Sequence, residues 1–175
     1  MDSEHKKWYV LTTKPNQEIL VDKSLNDLKL DVESFLPLRE EVRKCFNKMA
    51  LVQVPLVPRL VFIKVSKEER FEILNSIGYD VNYMIDKASN SSLIIPDYQM
   101  TPFIKFTKIV SSKYKIYDDK VKPGDKVKVI KGEFAGLEGE LVRLKSHKRV
   151  VVKLDGLFSI AVDAYIPKNH VKILT

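Results

Sequence analysis

Residues 7–13 read KWYVLTT, a β-branched and aromatic run that predicts a strand. KPN breaks it, and QEILVDKSLNDLKL then carries Ile19, Leu20, Leu25 and Leu28 at intervals that fit one buried helix face. SFLPLREEV and MALVQVPLV predict two strands with the charged RKCFNK, which includes Cys45, turning between them. PRLVFIKV predicts another strand, entered through Pro58. SKEERFEILNSIG opens on Ser66, places Glu69 three residues on and ends at Gly78. That is the pattern of a capping box, in which serine and glutamate satisfy each other's backbone amides, closed by a glycine stop. YDVNYMID predicts a weaker strand. IPDYQMTPFIKFTKIV spaces Phe103, Phe106, Ile109 and Val110 as a helix does, with Pro102 in its first turn or at a kink. The order strand, helix, three strands, helix, strand, helix predicts one α+β domain over residues 1–112, an antiparallel sheet flanked by helices.

The pattern then changes. SSKYKIYDDKV has no apolar period, so residues 113–121 read as an exposed linker. From 122 to 175 the helical signal fades, and VKVIK, GELVRL, RVVVKL and SIAVDA predict short strands of a small β-barrel. Val127 and Val129 share one face of the first, while Lys126 and Lys128 point to water. Gly132 ends that strand where a turn calls for positive φ, and Gly136 and Gly139 let the backbone turn and restart without a Cβ clash. KSHKR, residues 145–149, fits either a polar hairpin turn or a nucleic-acid contact.

Composition adds little until charge is divided along the chain. With 45% hydrophobic and 30% charged residues, the protein has the balance of a soluble globular chain. Sixteen Lys and Arg face fifteen Asp and Glu over residues 1–112 (+1), and fourteen face eight over residues 113–175 (+6). The basic tail fits either a polyanionic partner such as RNA or DNA, or a solvated surface. The one cysteine rules out an internal disulfide and suits a reducing compartment, and no apolar run is long enough for a bilayer. MDSEHKKWYV has the wrong order for a signal peptide, so a cytoplasmic location without membrane contact is expected, and the chain is expected to be a monomer. His5, His147 and His170 are scattered, and no phosphate loop or metal-ligand spacing occurs. No enzyme activity, metal or cofactor is expected.

VKVIKGEFAGLEGELV, with its valine pair, Gly132, Phe134, Gly136 and Gly139, resembles a KOW motif, the SH3-like β-barrel module of ribosomal proteins and NusG-type transcription factors. KKWYVLTTKPNQE resembles the opening of the NusG N-terminal domain, a Trp-Tyr strand leading to a helix with an early glutamate. FLPLREEV resembles its second strand, and PLVPRLVFIKV its Pro-Leu-Phe-Pro-Gly-Tyr-Val-Phe-Val signature. These matches span nearly the whole chain in order. Among relatives the chain looks closer to specialised paralogues, such as the UpxY type acting on capsular-polysaccharide operons.

The resemblance implies a transcription elongation or antitermination factor that binds the clamp helices of RNA polymerase's largest subunit. Its apolar pocket would comprise Trp8, Val10 and Thr12 with Val57, Pro58 and Phe62; Trp8, Val10 and Phe62 also fit plain core positions. Aromatics common in the family at Thr12 and Val57 are missing, and Arg59 and Leu60 replace a Gly-Tyr pair. Lys14 and Gln17 match positions that touch the non-template DNA strand in specialised paralogues. SKEERFE lacks the threonine-bearing segment that reaches across the polymerase cleft in the family, which leaves a charged contact by Lys67 or Arg70. Phe134, Leu137 and Phe158 correspond to barrel residues that grip a small-subunit ribosomal protein or the Rho termination factor, although Phe158 is displaced within KLDGLFS. The barrel's valines and turn glycines disfavour the helical hairpin into which some relatives fold this domain. The competing reading is a KOW-containing RNA-binding or ribosome-associated protein.

Overall fold

The structure, a computed structural model, describes residues 6–110, 113–117, 124–144 and 147–174. The chain divides into two compact units, Met1–Asp97 and Tyr98–Thr175.

In the first unit, elements follow as β1 (Lys7–Thr12), α1 (Glu18–Asp27), β2 (Glu33–Phe35), β3 (Leu38–Cys45), β4 (Lys48–Pro55), β5 (Leu60–Val65), α2 (Glu69–Ser76), β6 (Asn82–Tyr83), β7 (Ile85–Asp86), β8 (Ser91–Ser92) and β9 (Ile94–Ile95). The main antiparallel sheet runs β2-β5-β1-β6, with β9 also on β1. Strand alternation sends Tyr9, Leu11, Val61, Ile63 and Val65 to one side, where Val21 and Leu25 of α1 and Ile73 and Ile77 at α2 close a core. Burying each such side chain contributes about 1.5–3 kcal/mol.

Three expectations change here. The buried face of α1 is Glu18, Val21 and Leu25, while Ile19 and Leu20 are about half exposed. The helix starts at Glu18, which sets that rotation, and a carboxylate occupies a position the apolar count ignored. The three middle strands do not form one sheet. Only short β2 joins β5, and β3 and β4 make a separate hairpin with register Leu38↔Pro55 to Cys45↔Lys48. Pro37 divides β2 from β3, and its carbonyl accepts from Leu56 N at 2.8 Å. Cys45 therefore lies in a strand, and only Phe46 and Asn47 turn. The Ser66–Glu69 box forms: Ser66 Oγ accepts from Glu69 N at 3.3 Å, and Glu69 Oε2 accepts from Ser66 N at 3.3 Å. Gly78, at φ 71°, follows the helix as the glycine stop requires.

α3 (Asp97–Ile109) carries the chain into the second unit, which begins at Tyr98, and buries Gln99, Met100, Phe103 and Phe106. Pro102 sits in the second turn of α3 rather than the first, where its ring removes the bond to the Tyr98 carbonyl. Next come β10 (Tyr114–Tyr117), β11 (Asp125–Val129), β12 (Glu138–Leu144), β13 (His147–Leu154), β14 (Phe158–Val162), a 3-10 turn at Lys168–His170 and β15 (Val171–Ile173). They form a six-stranded antiparallel sheet of the KOW/SH3-like kind, ordered β10-β14-β13-β12-β11-β15. Part of the expected linker is thus a strand. Tyr114 to Tyr117 pair with Val162 to Ser159, and Lys115 meets Asp163 at 2.9 Å. Tyrosine and isoleucine in SKYKIY carry β preference that the charges between them masked. The division at Asp97 falls upstream of the expected boundary near residue 112. Residues 118–121, Pro123 and the Lys145–Ser146 part of KSHKR lie outside the described residues.

The barrel glycines work in two ways. Gly132 and Gly136 sit at φ 84° and 90°, as the turn reading requires. Gly139 has no positive φ: a Cβ there would stand 2.6 Å from the Val151 carbonyl oxygen on the neighbouring strand. It is close strand approach that needs this glycine.

Candidate functional site

The register places Val10 opposite Phe62, Trp8 opposite Lys64 and Thr12 opposite Leu60. Trp8, Val10, Thr12 and Phe62 therefore lie on one sheet face, opposite the face covered by α1 and α2. Trp8 Nε1 donates to Asp97 Oδ1 at 3.1 Å, and the same oxygen accepts from Lys64 Nζ at 2.8 Å. Lys64 Nζ also stands 5.8 Å from the Trp8 ring centre. Phe62 packs against Phe35 with ring centres 6.2 Å apart. Trp8, Val10 and Phe62 are 3%, 0% and 0% exposed, so little of their surface meets solvent. Thr12 is half-buried and donates to Asn82 O at 3.1 Å. Val57 is half-buried and Pro58 exposed, both at the turn into β5.

That turn explains one departure from the family signature. Arg59 stands where the signature has glycine, and its φ is 66°, a conformation costly for a residue with a Cβ. Three hydrogen bonds hold it there. Arg59 N donates to Glu18 Oε1 at 2.7 Å, Arg59 Nε donates to Thr13 O at 3.2 Å, and Thr13 N donates back to Arg59 O at 2.9 Å. Glu18 is 3% exposed. The early glutamate of α1 thus serves as the anchor that fixes the Val57–Arg59 turn beside the end of β1. The task of Glu18 is not visible in the sequence, because its partner is a backbone amide 41 residues away.

The two residues matched to DNA contact lie beside this turn. Lys14 Nζ pairs with Asp80 at 3.1 Å in an exposed bridge. Gln17 precedes α1, and its Oε1 is buried without a hydrogen-bond partner among the described residues. Close by is an open cavity of about 250 Å³ lined by Asn16, Ile19, Arg39, Arg43, Gln53 and Pro58 among others. Glu41 pairs with both arginines, at 2.6 Å to Arg39 and 2.9 Å to Arg43, and hydrogen bonding from Arg43 holds its carboxyl below the ordinary value. Arg39, Arg43 and Gln53 were missed as site residues because only hairpin pairing carries them to the start of α1.

At the start of α2, Arg70 does not project as a free charge. Its guanidinium lies 5.2 Å from the ring centres of Tyr9 and Tyr83 and 4.9 Å from that of Phe71. Tyr83 donates its hydroxyl to Arg70 O at 2.8 Å, and burial pushes that hydroxyl's pKa well above the ordinary tyrosine value. Lys67 is exposed.

In the second unit Phe134, Leu137 and Phe158 are all buried, at 6%, 0% and 7% exposure. Phe158 meets Phe103 of α3 edge-on, ring centres 5.7 Å apart. Beside it Gln99 donates to Asp155 Oδ2 at 2.6 Å and accepts from Asp155 N at 2.9 Å. An open groove of about 360 Å³ follows, lined by Tyr98, Pro102, Lys126, Glu140 and Lys153 among others. Hydrogen bonding from Lys128 keeps Glu138 below its ordinary pKa.

Among the described residues, no cluster of histidine, cysteine, aspartate or glutamate could hold a metal, and no helix is long and apolar enough to cross a membrane. A helix-backed antiparallel sheet with a buried aromatic strand, followed by a glycine-turned sheet, defines a two-module α+β protein. Residues 6–117 match the family described as "Transcription termination factor nusG", and residues 123–153 match the KOW motif. The chain belongs to the NusG family, whose members act in transcription elongation and are generally non-enzymatic. Nothing among the curated proteins matches. Among solved structures, one titled "Crystal Structure of MjSpt4:Spt5 complex conformation B" is similar at 16% identity, covering 96% of this chain and 97% of that one with a TM-score of 0.35.

Proposed function

We propose that this protein binds RNA polymerase at the clamp helices of the largest subunit and suppresses pausing or termination. The observation carrying this reading is the gathering of Trp8, Val10, Thr12 and Phe62 on one sheet face beside the Val57–Pro58 turn, in a chain that matches the NusG family over residues 6–117. A coiled-coil tip recognised there would be held mainly by apolar burial. Val57 and Pro58 are the accessible members and make the first contact, with Thr12 beside them; Trp8, Val10 and Phe62 set the shape of the face from within.

We assign Lys14 and Gln17 to the non-template DNA strand, and the adjoining cavity that Arg39 and Arg43 line supports that reading. In the second unit Phe134, Leu137 and Phe158 shape the barrel surface that meets a ribosomal protein or Rho. An operon-specific, UpxY-type role in polysaccharide gene clusters rests on sequence resemblance alone, and a cytoplasmic location on the single cysteine that suits a reducing compartment.

A pull-down from a mixture of purified RNA polymerase and purified ribosomes tests the reading. Recovery of polymerase by the whole chain, lost on Val57→Glu, is the expected result. Recovery of ribosomal RNA without polymerase would replace it with the ribosome-associated alternative.

A further inference from the structure

We infer that the β3–β4 hairpin is a DNA-binding arm that sets its tip into a duplex groove, with Phe46 as an apolar wedge and Lys44 and Lys48 on the flanking phosphates. The inference goes beyond the polymerase contact and uses different residues.

The hairpin pairs through eight registered positions and forms a sheet of its own. Strands of that length extend about 25 Å. Its end is built against ordinary solubility. Phe46 is 99% exposed, and Met49, Leu51 and Val42 are 67%, 62% and 58% exposed. Val42 faces Leu51 and Lys44 faces Met49 across the ladder, so these four side chains share one face that ends at Phe46. The aromatic also occupies an unfavourable backbone position. The Cys45↔Lys48 pair leaves Phe46 and Asn47 as a two-residue loop, and Phe46 has φ 55° at a position where such loops usually carry glycine. A bulky apolar residue held in that conformation, in water, gains nothing for the fold.

Charge selects the occupant. Residues 42–51 contain Arg43, Lys44 and Lys48 and no acid. Lys44 and Lys48 enter no ion pair among the described residues, whereas Arg43 is held by Glu41. An apolar tip between free cations suits a polyanion whose interior is stacked and apolar. In duplex DNA, cations take the phosphates on either side of a groove while an inserted side chain partly unstacks a base step. A two-stranded ribbon also has the width a groove admits.

The test uses the whole chain and a fluorescein-labelled mixed-sequence duplex of about 30 base pairs, read by anisotropy over a salt series. A second duplex carries 2-aminopurine to report unstacking. The parent should bind and raise the 2-aminopurine signal. Lys44→Glu with Lys48→Glu should weaken binding at least tenfold at low salt and lower the log–log salt slope by about two, the release expected for two phosphate contacts. Phe46→Ala should leave that slope unchanged and abolish the 2-aminopurine rise. All three side chains are exposed, and circular dichroism verifies that the variants fold. The inference is overturned if the parent fails to bind duplex at 100-fold molar excess over the label. It is equally overturned if the tip variants bind as the parent does, or if the tip acts on anionic vesicles and not on duplex. Comigration with polymerase by a chain whose tip variants bind DNA normally would remove this inference and leave the proposed function standing.

Discussion

Glu18 offers a quantitative test of how the sheet face is held. Its carboxylate is 3% exposed and accepts a 2.7 Å hydrogen bond from the Arg59 amide, whose residue is held at positive φ. It also lies in the first turn of α1, where a negative charge is favoured. Replacing it with alanine removes a charge-assisted hydrogen bond, about 1.5–3 kcal/mol, and leaves a partly buried amide without its acceptor. The helix-end term adds about 0.3–1 kcal/mol. We therefore expect Glu18→Ala to cost about 2–4 kcal/mol. Glu18→Gln, which keeps an acceptor and loses the charge, should cost about 1 kcal/mol. Trp8 is the chain's one tryptophan and is buried in the same unit, so its emission reports unfolding of that unit directly. With a urea dependence of about 1–3 kcal/mol/M, the alanine variant should shift the midpoint down by roughly 1–2 M. A shift below about 0.3 M for alanine, or equal shifts for alanine and glutamine, would refute the anchoring role.

Other expectations follow from the same geometry. Gly139→Ala should speed amide hydrogen exchange across Val150–Leu154 by about a hundredfold, because its Cβ would meet a partner-strand carbonyl and the ladder would have to open. Gly132→Ala, which meets mainly backbone strain, should accelerate exchange there by about tenfold. Tyr83 is raised above its ordinary pKa of 10.0 by burial, so past about pH 10 the unfolded chain holds fewer protons than the folded one. Stability should therefore fall as pH rises through that value, and Tyr83→Phe should flatten the fall in urea titrations at pH 9 and pH 11. Trp8→Phe should lower stability by about 1 kcal/mol through loss of the bond to Asp97, measured by denaturation followed by circular dichroism.

Much of this architecture can be read from periodicity. The strand at KWYVLTT, the capping box at Ser66–Glu69 and the glycine-punctuated barrel each follow from local residue preferences, and local signals survive in a single sequence. What escaped was set by long-range pairing. Nothing local says that LREEVRKC leaves the main sheet, or that Glu18 reaches Arg59. SKYKIY resembled a linker because its charges are met far along the chain, Lys113 by Glu133 and Lys115 by Asp163. The resemblance supplied Trp8, Val10 and Thr12 as candidates, and alternation along the strand puts them on one face. Burial was not legible, because it depends on what packs over each residue.

Dwell times of single RNA polymerase molecules transcribing through pause sites, with and without the protein, bear most directly on the central claim. The account predicts shorter pauses with the parent chain and unchanged pauses with Val57→Glu. Pauses of the same length with and without the parent at saturating concentration would contradict it.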